Sequence, residues 1–278
     1  MKTVACTLAL VALGALGDRA GAQEFSVNTH LECGIYNYGD CGSGDTVLPG
    51  VPLSARKTVN TISGAYSGTA KATAFAQSDF GSLQVQAGGS ESSKFGCPSS
   101  GQEQSETTSV GSFFDTFNVT SDTLPVGTPS SVKVSVQIAR QLKAQATPSD
   151  EFVYTQSGAY TVVGANAQPS GGVPIAREWC SVVGQGYGEC SNVIGPKGTS
   201  KFSFSVPVTV GERMTLTVQA TATQQSFVLG STECPNSSSF SASASNSTPA
   251  SPETVKTTVK AANSAVRLQA ASGHDYTP

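Results

Sequence analysis

"SVKVSVQIA", residues 131–139, sets Val132, Val134, Val136 and Ile138 against Ser131, Lys133, Ser135, Gln137 and Ala139 in strict alternation. Successive side chains of a strand point to opposite faces, so this pattern predicts a strand with one face against a core and the other in water. The pattern returns after the turn-rich "GPKGTS" (195–200) in Phe202, Phe204, Val206, Val208 and Val210, and again in Met214, Leu216, Val218, Ala220 and Ala222. Only Gly211, Glu212 and Arg213 separate these two runs, a step short enough to predict a hairpin of adjacent antiparallel strands. Pro207 lacks a ladder donor, which predicts an edge strand or a bulge for the first of them.

Working outward, further strands are expected over Thr58–Ala76, split near Gly64 or Gly68, and over Gly81–Gln86, Gly111–Val119, Phe152–Val163 and Ala265–Ala270. "GGSESSKFGCPSSGQEQSE" (88–106), "TPSD" (147–150) and "NAQPSGGVP" (166–174) read as turns and loops. "CPNSSSFSASASNSTPASP" (234–252) is biased to small polar residues, but Phe240, Ala242 and Ala244 share a face, which favours a strand with a frayed end. Residues 251–262 read two ways. Ser251 suits a helix cap and Pro252 a first turn, while the residues that follow also alternate. Many short strands between Gly, Pro and Ser breaks predict an all-β fold, an antiparallel β-sandwich of jelly-roll or Ig-like type, stapled by disulfides.

The first residues carry an address. Lys2, the apolar run Val4–Leu16 and the small residues Ala20-Gly21-Ala22 read as a signal peptide over 1–22. The run is too short for a permanent span, and no later stretch reaches the ~20 apolar residues that one needs. Residues 23–55 are expected to form an N-terminal disulfide-containing segment packed on the main domain, and 56–278 the sandwich. The chain carries formal charge -3. Loss of Lys2, Arg19 and Asp18 with the leader removes two positive charges and one negative, leaving -4. The sequence has no run of basic residues to neutralise phosphates, so nucleic acid is not an expected partner.

Beyond the leader lie Cys33, Cys41, Cys97, Cys180, Cys190 and Cys234, an even number in a chain bound for an oxidising compartment. Locality favours Cys33 with Cys41, Cys180 with Cys190 and, by remainder, Cys97 with Cys234. Each short closure contributes about 2 to 3 kcal/mol and the long one about 4 to 5 kcal/mol by restricting the unfolded chain. Zinc is disfavoured, since closely spaced Cys-x-x-Cys pairs and partner histidines are missing. Two cysteine loops end alike, in Tyr38-Gly39-Asp40-Cys41 and Tyr187-Gly188-Glu189-Cys190. The plain reading is a glycine turn with a solvated carboxylate. The sharper reading has Tyr38, Asp40, Tyr187 and Glu189 forming a ligand-binding surface, the tyrosines supplying apolar rings and the carboxylates hydrogen-bond acceptors.

Catalytic residues are not assigned. His30 and His274 are the sole histidines, and G-x-S-x-G, H-E-x-x-H and Walker patterns are missing. "SGHDYTP" (272–278) groups His274, Asp275 and Tyr276, but neighbours in an extended chain face opposite ways, so a polar tail is expected there. "DCGSGD" (40–45) offers two carboxylates, short of the six to eight oxygens calcium takes. No metal or other cofactor is expected. Trp179 beside Cys180 is expected to pack against a disulfide.

"SFFDTFNVTSDTLPVGTPSSVKVSVQI" (112–138), "FSFSVPVTVGERMTLTVQATATQ" (202–224) and "AANSAVRLQAASGHDYTP" (261–278) together resemble exported bacterial β-sandwich proteins of the PEP-CTERM-associated group, through strand spacing and the final Ser-Gly-x-x-Tyr. The chain lacks that group's sorting tail of Pro-Glu-Pro, apolar helix and basic end. The resemblance implies an envelope or matrix association and no transferable catalytic residue. The expected function is that of a secreted, non-enzymatic structural, adhesive or extracellular-matrix-associated protein. A glycan or surface-ligand binding module is the alternative, and a hydrolase using Asp40 and Glu189 as paired carboxylates about 5 to 9.5 Å apart is the second alternative. Expected partners are extracellular polysaccharide or cell-surface components.

Overall fold

The computed structural model describes residues 24–35, 39–49, 53–63, 67–96, 102–146, 153–184, 197–230, 239–247 and 253–277. These contain fifteen strands and no helix: β1 (Glu24–Ile35), β2 (Gly39–Pro49), β3 (Leu53–Ser63), β4 (Ser67–Asp79), β5 (Ser82–Gly96), β6 (Gln102–Thr120), β7 (Pro129–Gln141), β8 (Lys143–Ala146), β9 (Val153–Pro169), β10 (Ile175–Gly184), β11 (Lys197–Thr209), β12 (Arg213–Gly230), β13 (Ser239–Ser247), β14 (Glu253–Ala261) and β15 (Arg267–Ala270). All pairings are antiparallel. Sheet A runs β10-β9-β12-β6-β1-β2, and β15 takes the place of β1 beside the last residues of β6. Sheet B has β11 at one edge and β3 at the other. Between them, β14 and β13 lie end to end along one side of β5 while β4 takes its other side.

Alternation decides which face is buried. In β7, Val132, Val134, Val136 and Ile138 are fully buried, and in β12 so are Met214, Leu216, Val218, Ala220 and Ala222. They meet Leu83, Val85, Phe113, Phe117, Phe204, Val206 and Val255 in one core. Burying each large member contributes about 1.5–3 kcal/mol. The sheets approach closely where residues are small. A Cβ on Gly111 of β6 would stand 3.2 Å from Ser78 Oγ of β4, so glycine there admits the opposite sheet. Trp179 is 4% exposed and belongs to this core.

Several expectations hold. Residues 253–261 form a strand, which resolves the segment that reads two ways, and 239–247 form the small-residue strand. Pro207 lies in β11, an edge strand of sheet B. Others need correction. Residues 88–96 and 102–106, read as loop, are strand, continuing β5 and opening β6. β11 and β12 form no hairpin, because β11 pairs with β7 in sheet B and β12 with β6 and β9 in sheet A. The chain changes sheets at Val210–Glu212, alongside the β6–β7 connection that crosses in the other direction. Val210 N donates to Thr128 O, Gly211 N to Val119 O and Val119 N to Glu212 O. Gly211 has φ +95°, a conformation that side chains rarely adopt. The expected N-terminal segment contributes β1 (24–35) and β2 (39–49) to sheet A, joined to β6 through β1.

Candidate functional site

Asp115 occupies an inward position of β6 between Phe113 and Phe117 and is 1% exposed. A carboxylate buried among phenylalanines must find donors, since an unpaired buried charge is strongly destabilising. It finds them in its own neighbour and in the C-terminal tail. Thr116 N (2.8 Å) and Ser272 N (3.3 Å) donate to Oδ1, while Ser272 Oγ (2.5 Å) and Tyr276 OH (2.9 Å) donate to Oδ2. The tail reaches across the sandwich to do this. Ala271 N donates to Thr116 O of sheet A, and Val259 N of sheet B donates to Tyr276 O. The Tyr276 ring lies edge-on to Phe117 at 5.0 Å between centroids and to His274 at 4.6 Å.

Burial, then the charge of Asp115 and the hydrogen bond to it, push the Tyr276 phenol well above its usual range, against a smaller opposing contribution from Ser272. The phenol is therefore a fixed donor at ordinary pH, not an acid in exchange with solvent. Asp275 is exposed, and its carboxyl is held below the usual range, first by the Thr277 hydroxyl and then by the Thr277 backbone N–H, with His274 assisting and desolvation opposing. The expected polar tail is thus an ordered closure of the sandwich, in which Tyr276 points inward and Asp275 outward.

Two further polar contacts join the sheets. Ser109 Oγ of β6 donates to Phe75 O of β4 at 2.6 Å and accepts from Gln86 N of β5 at 3.3 Å. The Thr161 hydroxyl of β9 donates to the buried Glu253 carboxylate of β14. Sequence reasoning missed Asp115, Ser272, Thr161 and Glu253, and weighed Tyr276 only as part of a polar tail. One signal was there: an acid in the inward phase of an alternating strand, as in Phe113-x-Asp115-x-Phe117.

The residues singled out in the cysteine loops fall differently. Tyr38, Tyr187 and Glu189 lie outside the described residues, as do Cys97, Cys190 and Cys234. Asp40 stands in β2 opposite Glu32. One transverse row of sheet A runs Gly184–Gly158–Gln225–Glu106–Glu32–Asp40, so β10 and β2 reach the same level at opposite edges. Five strand spacings separate them, about 24 Å. A carboxylate pair at hydrolase spacing would require Glu189, five residues beyond Gly184, to traverse most of that width. Cys33 and Cys41 lie on the paired strands β1 and β2, Cys41 at the register shift beside Glu32. Cys180 is 4% exposed and disulfide-bonded.

Among the described residues no group of three His, Cys, Asp or Glu side chains is placed to hold a metal ion, and no helix is long and apolar enough to cross a membrane. No protein-family model, curated protein or solved structure matches the chain.

Proposed function

We propose that the protein is an exported, non-enzymatic structural, adhesive or matrix-associated component, like the PEP-CTERM-associated sandwiches it resembles. The observation that supports this reading is the use made of its buried polar groups. Asp115, Tyr276 and Ser272 bind one another, and Thr161 binds Glu253, so the interior carboxylates serve to join the sheets. A durable closed body suits a life outside the cell. The disulfide framework Cys33–Cys41, Cys180–Cys190 and Cys97–Cys234 belongs to the same proposal. It is supported by the bonded state of Cys180, by the β1–β2 hairpin, and by register, since Cys97 follows Gly96, which pairs with Ser239 five residues past Cys234.

The experiment is fractionation of the producing cells followed by non-reducing peptide mapping. Recovery of a chain beginning near Gln23 in the surface or medium fraction, with the three pairs intact, is the expected result. A full-length reduced chain inside the cell would refute it.

A further inference from the structure

Folding gathers four lysines from three segments that the sequence keeps far apart. Lys133 of β7, Lys201 of β11 and Lys256 and Lys260 of β14 all occupy outward positions of three neighbouring strands of sheet B, and all are exposed. Lys260 stands directly opposite Lys133, while Lys256 and Lys201 flank Gln137 from either side. The two rows are four residues apart, about 13 Å. Like charges directly opposite on paired strands destabilise a sheet. No carboxylate relieves them on the outward faces of these three strands. Asp79 is separated from Lys256 by the width of β5, at Ser82. Among the described residues the ion pair of Arg267 with Asp122 involves none of the four.

We propose that this face of sheet B docks an anionic polysaccharide, one carrying carboxylate or sulfate groups. Positive charge concentrated on one face of a chain whose net charge is -3 selects a negatively charged partner. Between the lysines one row holds Thr258, Ser135 and Ser203; Ser135 is buried, so the exposed Ser203 and the half-buried Thr258 supply the hydroxyls suited to sugar hydroxyls. The outward residues of these strands include no aromatic ring on which bases would stack, which disfavours single-stranded nucleic acid. They also present no large apolar side chain to enter a bilayer. The choice of a polysaccharide rests on the matrix-associated reading above; the basic face itself does not.

The test uses the purified full chain with polygalacturonate, neutral dextran, single-stranded DNA and phosphatidylserine vesicles as probes. Polygalacturonate should bind, more weakly as salt rises, and dextran should not. Lys133→Gln with Lys260→Gln should weaken binding roughly tenfold while the thermal midpoint stays level or rises. Arg177→Gln, on the edge strand β10 of the other sheet, should bind as the parent does. Equal binding by the lysine variant, no binding by the folded parent, or tighter lysine-dependent binding of DNA or vesicles would overturn the proposal. Cell fractionation separates the two claims: lysine-dependent binding by a chain retained inside the cell refutes the matrix reading and upholds the basic face.

Discussion

Tyr276 and Asp115 lie 161 positions apart, and their contact is the residue-scale event on which the closed end of the sandwich depends. Tyr276→Phe keeps the ring against Phe117 and removes the donor to Oδ2. The expected loss is about 1–3 kcal/mol, read as a lower midpoint in thermal unfolding, roughly 2–4 °C for each kcal/mol in a chain of this size. The phenol also sets a pH dependence. Its folded value lies above the unfolded 10.0, so its contribution is fully present below about pH 10 and declines as the pH rises beyond it. Urea titrations of the parent between pH 8 and 11 should show that decline, and the phenylalanine variant should show less of it. Thr161→Val tests the second buried acid: it keeps the shape, removes the hydroxyl from Glu253, and should cost about 1–3 kcal/mol in the same assay. None of these partnerships is written locally. The sequence shows an acid in an inward phase, but a donor from a distant segment is chosen only when the sheets meet.

At the scale of elements, period-two alternation reads well because burial imposes it strand by strand. It located β7, β11, β12 and the inward faces of all three. It did not reveal partners, since the same alternation suits either sheet. That is why Val210–Glu212 reads as a hairpin and is in fact a crossing, held by Val119 and Thr128. Residues 88–96 and 102–106 read as loop because Gly, Ser and Glu lack an apolar face, yet ladder hydrogen bonds to β13, β4, β1 and β12 keep them extended. Gly211 is the exposed test of the crossing. A Cβ there would meet Val126 Cγ1 at 2.6 Å, at φ +95°. Gly211→Ala should therefore destabilise by about 1–3 kcal/mol in denaturant melts, whereas alanine at Gly164, with open space and ordinary φ, should not. Pro207 leaves β11 without one ladder donor at the edge of sheet B. Pro207→Thr should leave the fold intact and increase self-association, measured by light scattering, because a repaired edge invites another strand.

For the whole molecule, the sandwich class was legible from composition and alternation, while the arrangement of its two ends was not. Strand register sends the described ends nearest the cysteines to one end of the body. The tail, the crossings at 120–128 and 210–212, and the turn at 170–174 close the other. On the proposed disulfide framework, reduction should loosen the first end while leaving the second, because Asp115, Ser272 and Tyr276 hold no sulfur. The decisive experiment is hydrogen exchange followed by mass spectrometry on the native chain at neutral pH. Peptides spanning β6, β12 and residues 267–277 should all exchange slowly, with the last accelerating selectively in Tyr276→Phe. Rapid exchange across 271–277 in the parent, while β6 and β12 stay protected, would show that the tail does not clasp the two sheets.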